Sequence, residues 1–181
     1  MNIREITMIG LGAALMVVFT HLSIPIPTVP ITLQLFGVIL LGIIFTRRVA
    51  TLSLATYILL GVVGMPVFSG FKSGIATLAG PTGGYIYSFI ISVFIVATFA
   101  KKNNIKLTIL GGYLGLMISY ILGTIQLQYV LNLDMIAAIS AGTGAGVYLI
   151  KDILLVPVAI VVGQKIKLVL SKSLANNINI G

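Results

Sequence analysis

Six runs of apolar residues follow one another along this chain, at positions 6–22, 33–45, 49–63, 84–100, 105–130 and 144–163, each separated from the next by a turn or loop. Such runs need protein or lipid around them. In lipid every backbone polar group must be satisfied internally, which a helix does by itself. With 59% of residues hydrophobic and 8% charged, the chain has too little polar surface to cover six buried helices in water. The reading is an all-α, polytopic membrane protein with six transmembrane helices, forming one membrane-embedded domain over 1–181. The second and third runs are short for a bilayer, which needs about 20 apolar residues, and are expected to tilt little or to sit where the membrane is thinned. The first run follows Arg4 as a signal sequence would, but no small-x-small cleavage site follows it, so it is read as a retained helix.

Charge orients the bundle. Arg4 precedes the first run, Arg47 and Arg48 separate the second from the third, Lys101, Lys102 and Lys106 separate the fourth from the fifth, and Lys165, Lys167 and Lys172 follow the sixth. These are nine of the eleven basic residues. The opposite side carries only Lys72 and the acidic Asp134. The positive-inside rule then puts both termini in the cytoplasm. The same rule accounts for the net charge of +8 without nucleic acid as a partner.

The outward connections are unusual. HLSIPIPTVPIT (21–32) is proline-rich, GMPVFSGFKSGIATLAGPTGG (64–84) is long and glycine-rich, and LNLDMIAAISAGTGAG (131–146) suggests a short helix over 135–140. Apolar connections of this kind bury better by folding over the helix ends as a lid, which proline stiffens in the first of them. No matched pair of broken helices appears in the two halves, against an inverted-repeat transporter.

One pair of charges lies inside an apolar run: Lys151 and Asp152. A charge at membrane depth costs at least about 2.5–3.5 kcal/mol on insertion scales, so it is expected to have a function or a partner. Asp152 precedes Lys165 by thirteen residues, which at about 1.5 Å per residue places it roughly 20 Å from the inner boundary, under the elaborate loops. Adjacent helical residues point about 100° apart, so the two are not expected to clasp each other. Each then requires another partner, either a polar ligand or a neighbouring helix. Other chemistry is poorly supported. GFKSG (70–74) lacks the Gly-Lys step of a phosphate loop, and GTGAG (142–146) lacks dinucleotide-binding spacing and is expected to serve helix packing. His21 is the only histidine, cysteine is absent, and the acids number three, so neither a metal site nor an enzyme is expected. On the first run Gly10 and Ala14, four apart, form a small-residue face for another helix, in this chain or in a separate subunit.

GPTGGY (80–85), taken with SIPIPTVPITLQ (23–34), YILLGVVGMPVF (57–68) and the late Asp152, resembles the BioY family over nearly the whole chain. These are the biotin-specific S components of energy-coupling-factor (ECF) transporters. The resemblance implies a six-helix subunit that binds biotin near its outer face, needs no cofactor, and works with a transmembrane coupling protein and two cytoplasmic ATPases. It also implies that the small-residue face of the first helix, matched by Gly10 and Ala14, meets the coupling protein, and that the subunit topples in the bilayer to deliver the vitamin. Many members place Lys three residues after the Asp. Here that position is Leu155, and Lys151 precedes the acid instead, about one turn nearer the outer surface.

On this reading Asp152 accepts from a ureido N–H of biotin. Gln34, Gly80, Thr82, Gly83, Gly84 and Tyr85 supply further contacts, those of Gly83 and Gly84 through the free N–H groups of a helix start. Lys151 balances Asp152 or meets the carboxylate of biotin, and Ile26 and Val29 cover its tail. Helix packing alone is the competing explanation for the glycine turn.

Overall fold

A computed structural model describes residues 1–24, 29–102 and 104–178, with side chains described through residue 170. Six helices fall on the six apolar runs: α1 (Ile3–His21), α2 (Gln34–Ile44), α3 (Arg47–Val62), α5 (Gly83–Ala100), α6 (Ile105–Leu131) and α8 (Val147–Ile178). Two short helices, α4 (Ile75–Ala79) and α7 (Met135–Thr143), lie in the connections expected to be elaborate. The all-α expectation needs one amendment: β1 (Ser23–Ile24) and β2 (Ile31–Thr32) pair antiparallel, Ser23 opposite Thr32 and Ile24 opposite Ile31.

Local sequence sets most helix starts. Asn2, Thr46, Asn104 and Asp134 each accept a backbone N–H in the first turn of α1, α3, α6 and α7 respectively. A side-chain oxygen at this position satisfies one of the donors that a helix start leaves unpaired. Asp134 is thus a cap. The Gly144 to Gly146 stretch, expected to pack helices, makes the α7–α8 turn, with φ of 57° at Gly144, 51° at Ala145 and 93° at Gly146.

Among the described residues, four helical segments are long and apolar enough to cross a membrane: α1, α5, α6 and residues 147–170 of α8. The protein has the character of a membrane protein in these four. α2 is different. Its 11 residues span about 16 Å at the helical rise, well short of a bilayer core. Nine of them are buried, so the protein rather than lipid surrounds it. It packs on α8 and α5, and Leu35, Ile39 and Ile43 form one hydrophobic cluster with Val96, Leu116, Val156, Ala159 and Ile160. A second cluster joins α1, α3 and α5 around Met16, Leu54, Tyr57, Phe68 and Val93.

Close approach of α5 and α6 depends on small residues. Gly111 faces Phe99, and Gly115 faces Ser92 and Val96. Ser92 donates to Gly115 O at 2.8 Å and lies 3.0 Å from the Ser119 hydroxyl. Without a hydrophobic driving force between helices in lipid, such packing and hydrogen bonds hold the bundle. α8 carries Pro157 in its interior. Proline has no N–H, so the carbonyl four residues earlier, that of Ile153, lacks its helical donor. The Tyr113 hydroxyl of α6 donates to that carbonyl at 3.3 Å. α8 also runs well past the expected end at 163, because the basic segment after it remains helical.

Gly10 and Ala14 lie on the exposed side of α1, and a Cβ at Gly10 would meet nothing within 4 Å. The internal packing of α1 falls instead to Gly12, which faces Ser53 and Phe45, and to Ala13.

Candidate binding cavity

The β-hairpin, the turn through Phe68–Lys72 and α7 gather at one end of the bundle. Ser69 donates to Ser23 at 3.4 Å, the His21 and Phe71 rings lie 4.3 Å apart, and Tyr85 donates to Gly142 O at 3.1 Å. Beneath them lies a cavity of about 250 Å³. Small-molecule sites run to roughly 300–1,000 Å³, so this one suits a single small ligand. Its wall combines Val29 and Thr32 of the hairpin region, Gln34 of α2, Thr82, Tyr85 and Phe89 around α5, Tyr120 of α6, and Tyr148, Lys151 and Asp152 of α8.

Asp152 is the chemical centre of the wall. It is only 7% exposed. Tyr120 donates to its Oδ2 at 2.8 Å. Lys151 Nζ lies 2.8 Å from its Oδ1, contrary to the expectation that neighbours on a helix cannot meet. The 100° separation holds for the Cα–Cβ directions, but the four-carbon stem of lysine reaches back across it. The geometry is that of an ion pair without an aligned hydrogen bond, so Oδ1 is left as a buried acceptor with no directed donor among the described residues. Lys151 also donates to Thr32 O at 2.6 Å, tying α8 to the hairpin. A buried carboxylate with an open lone pair is a place for a ligand N–H.

The other expected residues divide. Thr82 and Tyr85 line the cavity. Gln34 lines it too, but its amide is largely engaged: Nε2 donates to Thr20 and Tyr57, both at 3.1 Å, while Oε1 accepts from Thr32 at 3.1 Å. Its part in the wall is a fixed orientation, with one acceptor site left on Oε1. Val29 is in the wall as expected, whereas Ile26 lies outside the described residues.

Gly80, Gly83 and Gly84 are not among the residues that line the cavity. A Cβ on Gly83 would strike Leu78 O and Gln126 Nε2, and one on Gly84 would strike Leu122 O. The Gly83 N–H is already given to Gly80 O at 3.1 Å. Gln126 of α6 donates to Leu78 O and Gly80 O, both at 2.7 Å. The glycines therefore allow the α4–α5 turn to lie against α6, which presents the flanking residues, Thr82 and Tyr85, to the cavity. Tyr85 in turn sits over Gly123, with its ring edge-to-face to Tyr120 at 6.0 Å.

Sequence reasoning missed Tyr120, Tyr148, Lys72 and the supporting Gln126. The signal for Tyr120 was present: a tyrosine deep in an apolar run must find a partner for its hydroxyl.

A family model described as the BioY family matches residues 1–172. The biotin transporter BioY of Thermotoga maritima is 41% identical over 140 residues, covering 77% of this chain and 82% of that one. A probable biotin transporter BioY of Pyrococcus horikoshii is 33% identical over 167 residues, covering 92% and 98%. Among solved structures, the S-component for biotin from an ECF-type ABC transporter shares the fold, with a TM-score of 0.82 at 23% identity over 91% of each chain. A family match over residues 1–172, together with relatives at 41% and 33% identity over most of the chain, establishes that the chain belongs to the BioY family.

Proposed function

We propose that this protein is the biotin-binding membrane subunit of an ECF transporter, capturing biotin from outside the cell for ATP-driven uptake. The observation that carries the reading is Asp152, a buried acid in the wall of a cavity of small-molecule size, whose Oδ1 accepts no hydrogen bond among the described residues. Biotin offers a ureido ring with two N–H donors and one carbonyl, an apolar thioether ring and an aliphatic tail. A ureido N–H meets Oδ1, and the apolar Phe89 and Ile86 in the wall suit the rest of the ring system. The six helices on the apolar runs are integrated in the plasma membrane, α2 and α3 within the bundle, with both termini cytoplasmic as the basic turns require.

The test is a calorimetric titration of detergent-purified protein with biotin, with thiamine and riboflavin as controls. Saturable heat with biotin alone is expected. Saturation by another vitamin instead would make this an S component of different specificity, and no saturation with any of them would leave a scaffold without a ligand.

A coupling transmembrane protein and two ATPases complete the transporter, and the exposed strip of α1 at Gly10 and Ala14 is the docking face. Because both residues are exposed and a Cβ at Gly10 meets nothing within 4 Å, Gly10→Leu with Ala14→Leu is expected to leave the Kd for biotin unchanged while uptake and co-purification with the coupling protein fall. Lost biotin binding would instead assign the strip to the subunit's own integrity.

A further inference from the structure

The charges facing the cavity do not balance. Among the described wall residues the carboxylates and ammonium groups are Asp152, Lys151 and Lys72. Asp152 and Lys151 neutralise each other in an ion pair. The Lys72 ammonium makes no hydrogen bond or ion pair among the described residues, and the residue is exposed in the cavity wall, so the cavity carries one uncompensated positive charge. Lys72 is also the only Lys or Arg in the three connections at this end, 21–32, 64–84 and 131–146. The Lys151 ammonium is held by its hydrogen bond to Thr32 O and its ion pair with Asp152, which leaves Lys72 as the cation available to a ligand.

The turn that carries Lys72 is built rather than loose. The Lys72 carbonyl accepts from Phe68 N–H at 3.0 Å in an antiparallel bridge. Gly70, Phe71 and Gly74 take positive φ of 71°, 57° and 83°. For a phenylalanine this conformation costs energy and persists only when surrounding contacts hold it. Here the Phe71 ring rests against His21, and Gly74 N–H is bonded to Gly61 O at 2.7 Å. The backbone of Lys72 is fixed while its ammonium is free.

Resting on the biotin reading, we propose that Lys72 is the carboxylate anchor: the ligand lies with its ureido head at Asp152 and its carboxylate at the mouth against Lys72. A monoanion with a neutral hydrogen-bonding head then matches the cavity in charge at both ends, and an uncharged derivative matches at one. Lys72 thereby sets preference for the free acid.

The experiment is calorimetry with biotin and with biotin methyl ester on wild-type protein, Lys72→Gln and Lys72→Arg, at low and high salt. A charge-assisted contact at a partly exposed mouth predicts that wild type binds biotin on the order of tenfold more tightly than the ester. Lys72→Gln is expected to bind both equally, at the level of the ester, and to lose the salt dependence of biotin binding; Lys72→Arg is expected to restore the preference. If Lys72→Gln keeps the wild-type preference for the acid, or weakens both ligands by the same factor, the anchor is not Lys72. Failure of wild type to bind biotin at all is a different outcome, which overturns the biotin reading and this inference with it.

Discussion

Asp152→Asn is expected to weaken biotin binding by about 1.5–3 kcal/mol, roughly 10- to 150-fold, the value of a hydrogen bond to a charged acceptor. The change is nearly isosteric. The asparagine carbonyl can still accept from Tyr120, which now bonds Asp152 Oδ2 at 2.8 Å, and Lys151 keeps its bond to Thr32 O. What is lost is the negative acceptor at Oδ1, where a ligand N–H would meet an amide –NH₂ instead. Thermal unfolding in detergent, run beside the titration, separates the two ways the variant can fail. A lowered affinity in a protein that unfolds at the wild-type temperature places the carboxylate against the ligand. Unchanged affinity would remove Asp152 from the site and leave it as a packing pair with Lys151.

The second large effect concerns stability. Gly83→Ala is expected to destabilise the protein by about 1–3 kcal/mol or more, since overpacking a well-filled interior forces the backbone to move. The obstacle is the Leu78 carbonyl, which no rotamer change can clear. Shifting it also disturbs the Gln126 bonds that hold the turn on α6. Gly10→Ala is the control. Nothing lies within 4 Å of a Cβ there, and alanine is the better helix former, so unfolding at or slightly above the wild-type temperature is expected. If Gly83→Ala instead unfolds like wild type but binds biotin less tightly, the glycine serves the ligand directly and the packing explanation fails.

These two residues also show how far a sequence of this kind can be read. Asp152 was legible because an acid inside an apolar run has so few explanations. The helices were legible for a related reason, since apolar runs between basic turns leave little freedom. α8 overran its expected end because hydropathy marks where lipid stops rather than where a helix stops; Lys165 and Lys167 are compatible with both. The hairpin escaped notice because two residues per strand are too few to show alternation. α2 read as a short membrane span, and only its neighbours reveal that it is enclosed by protein. Gly83 and Gly84 stood out as a motif, but a motif does not say which way it faces: their bare side meets α6, and the cavity receives Thr82 and Tyr85. Lys151 was misjudged by treating side chains as short spokes. Tyr120 and Gln126 were not singled out, because their meaning depends on helices distant in sequence.

The packing of α2 against α8 has a bearing on manufacture. Ribosomes deliver α2 well before α8, and Asp152 and Lys151 arrive only with that later segment. Until then Gln34 and Leu35 have an open flank, the hairpin has no lysine to hold its Thr32 carbonyl, and the chamber lacks both an acid and a side. A polypeptide halted before Val147 would possess most of the helices and part of the wall but neither Asp152 nor Lys151, so the chamber is completed only when α8 arrives.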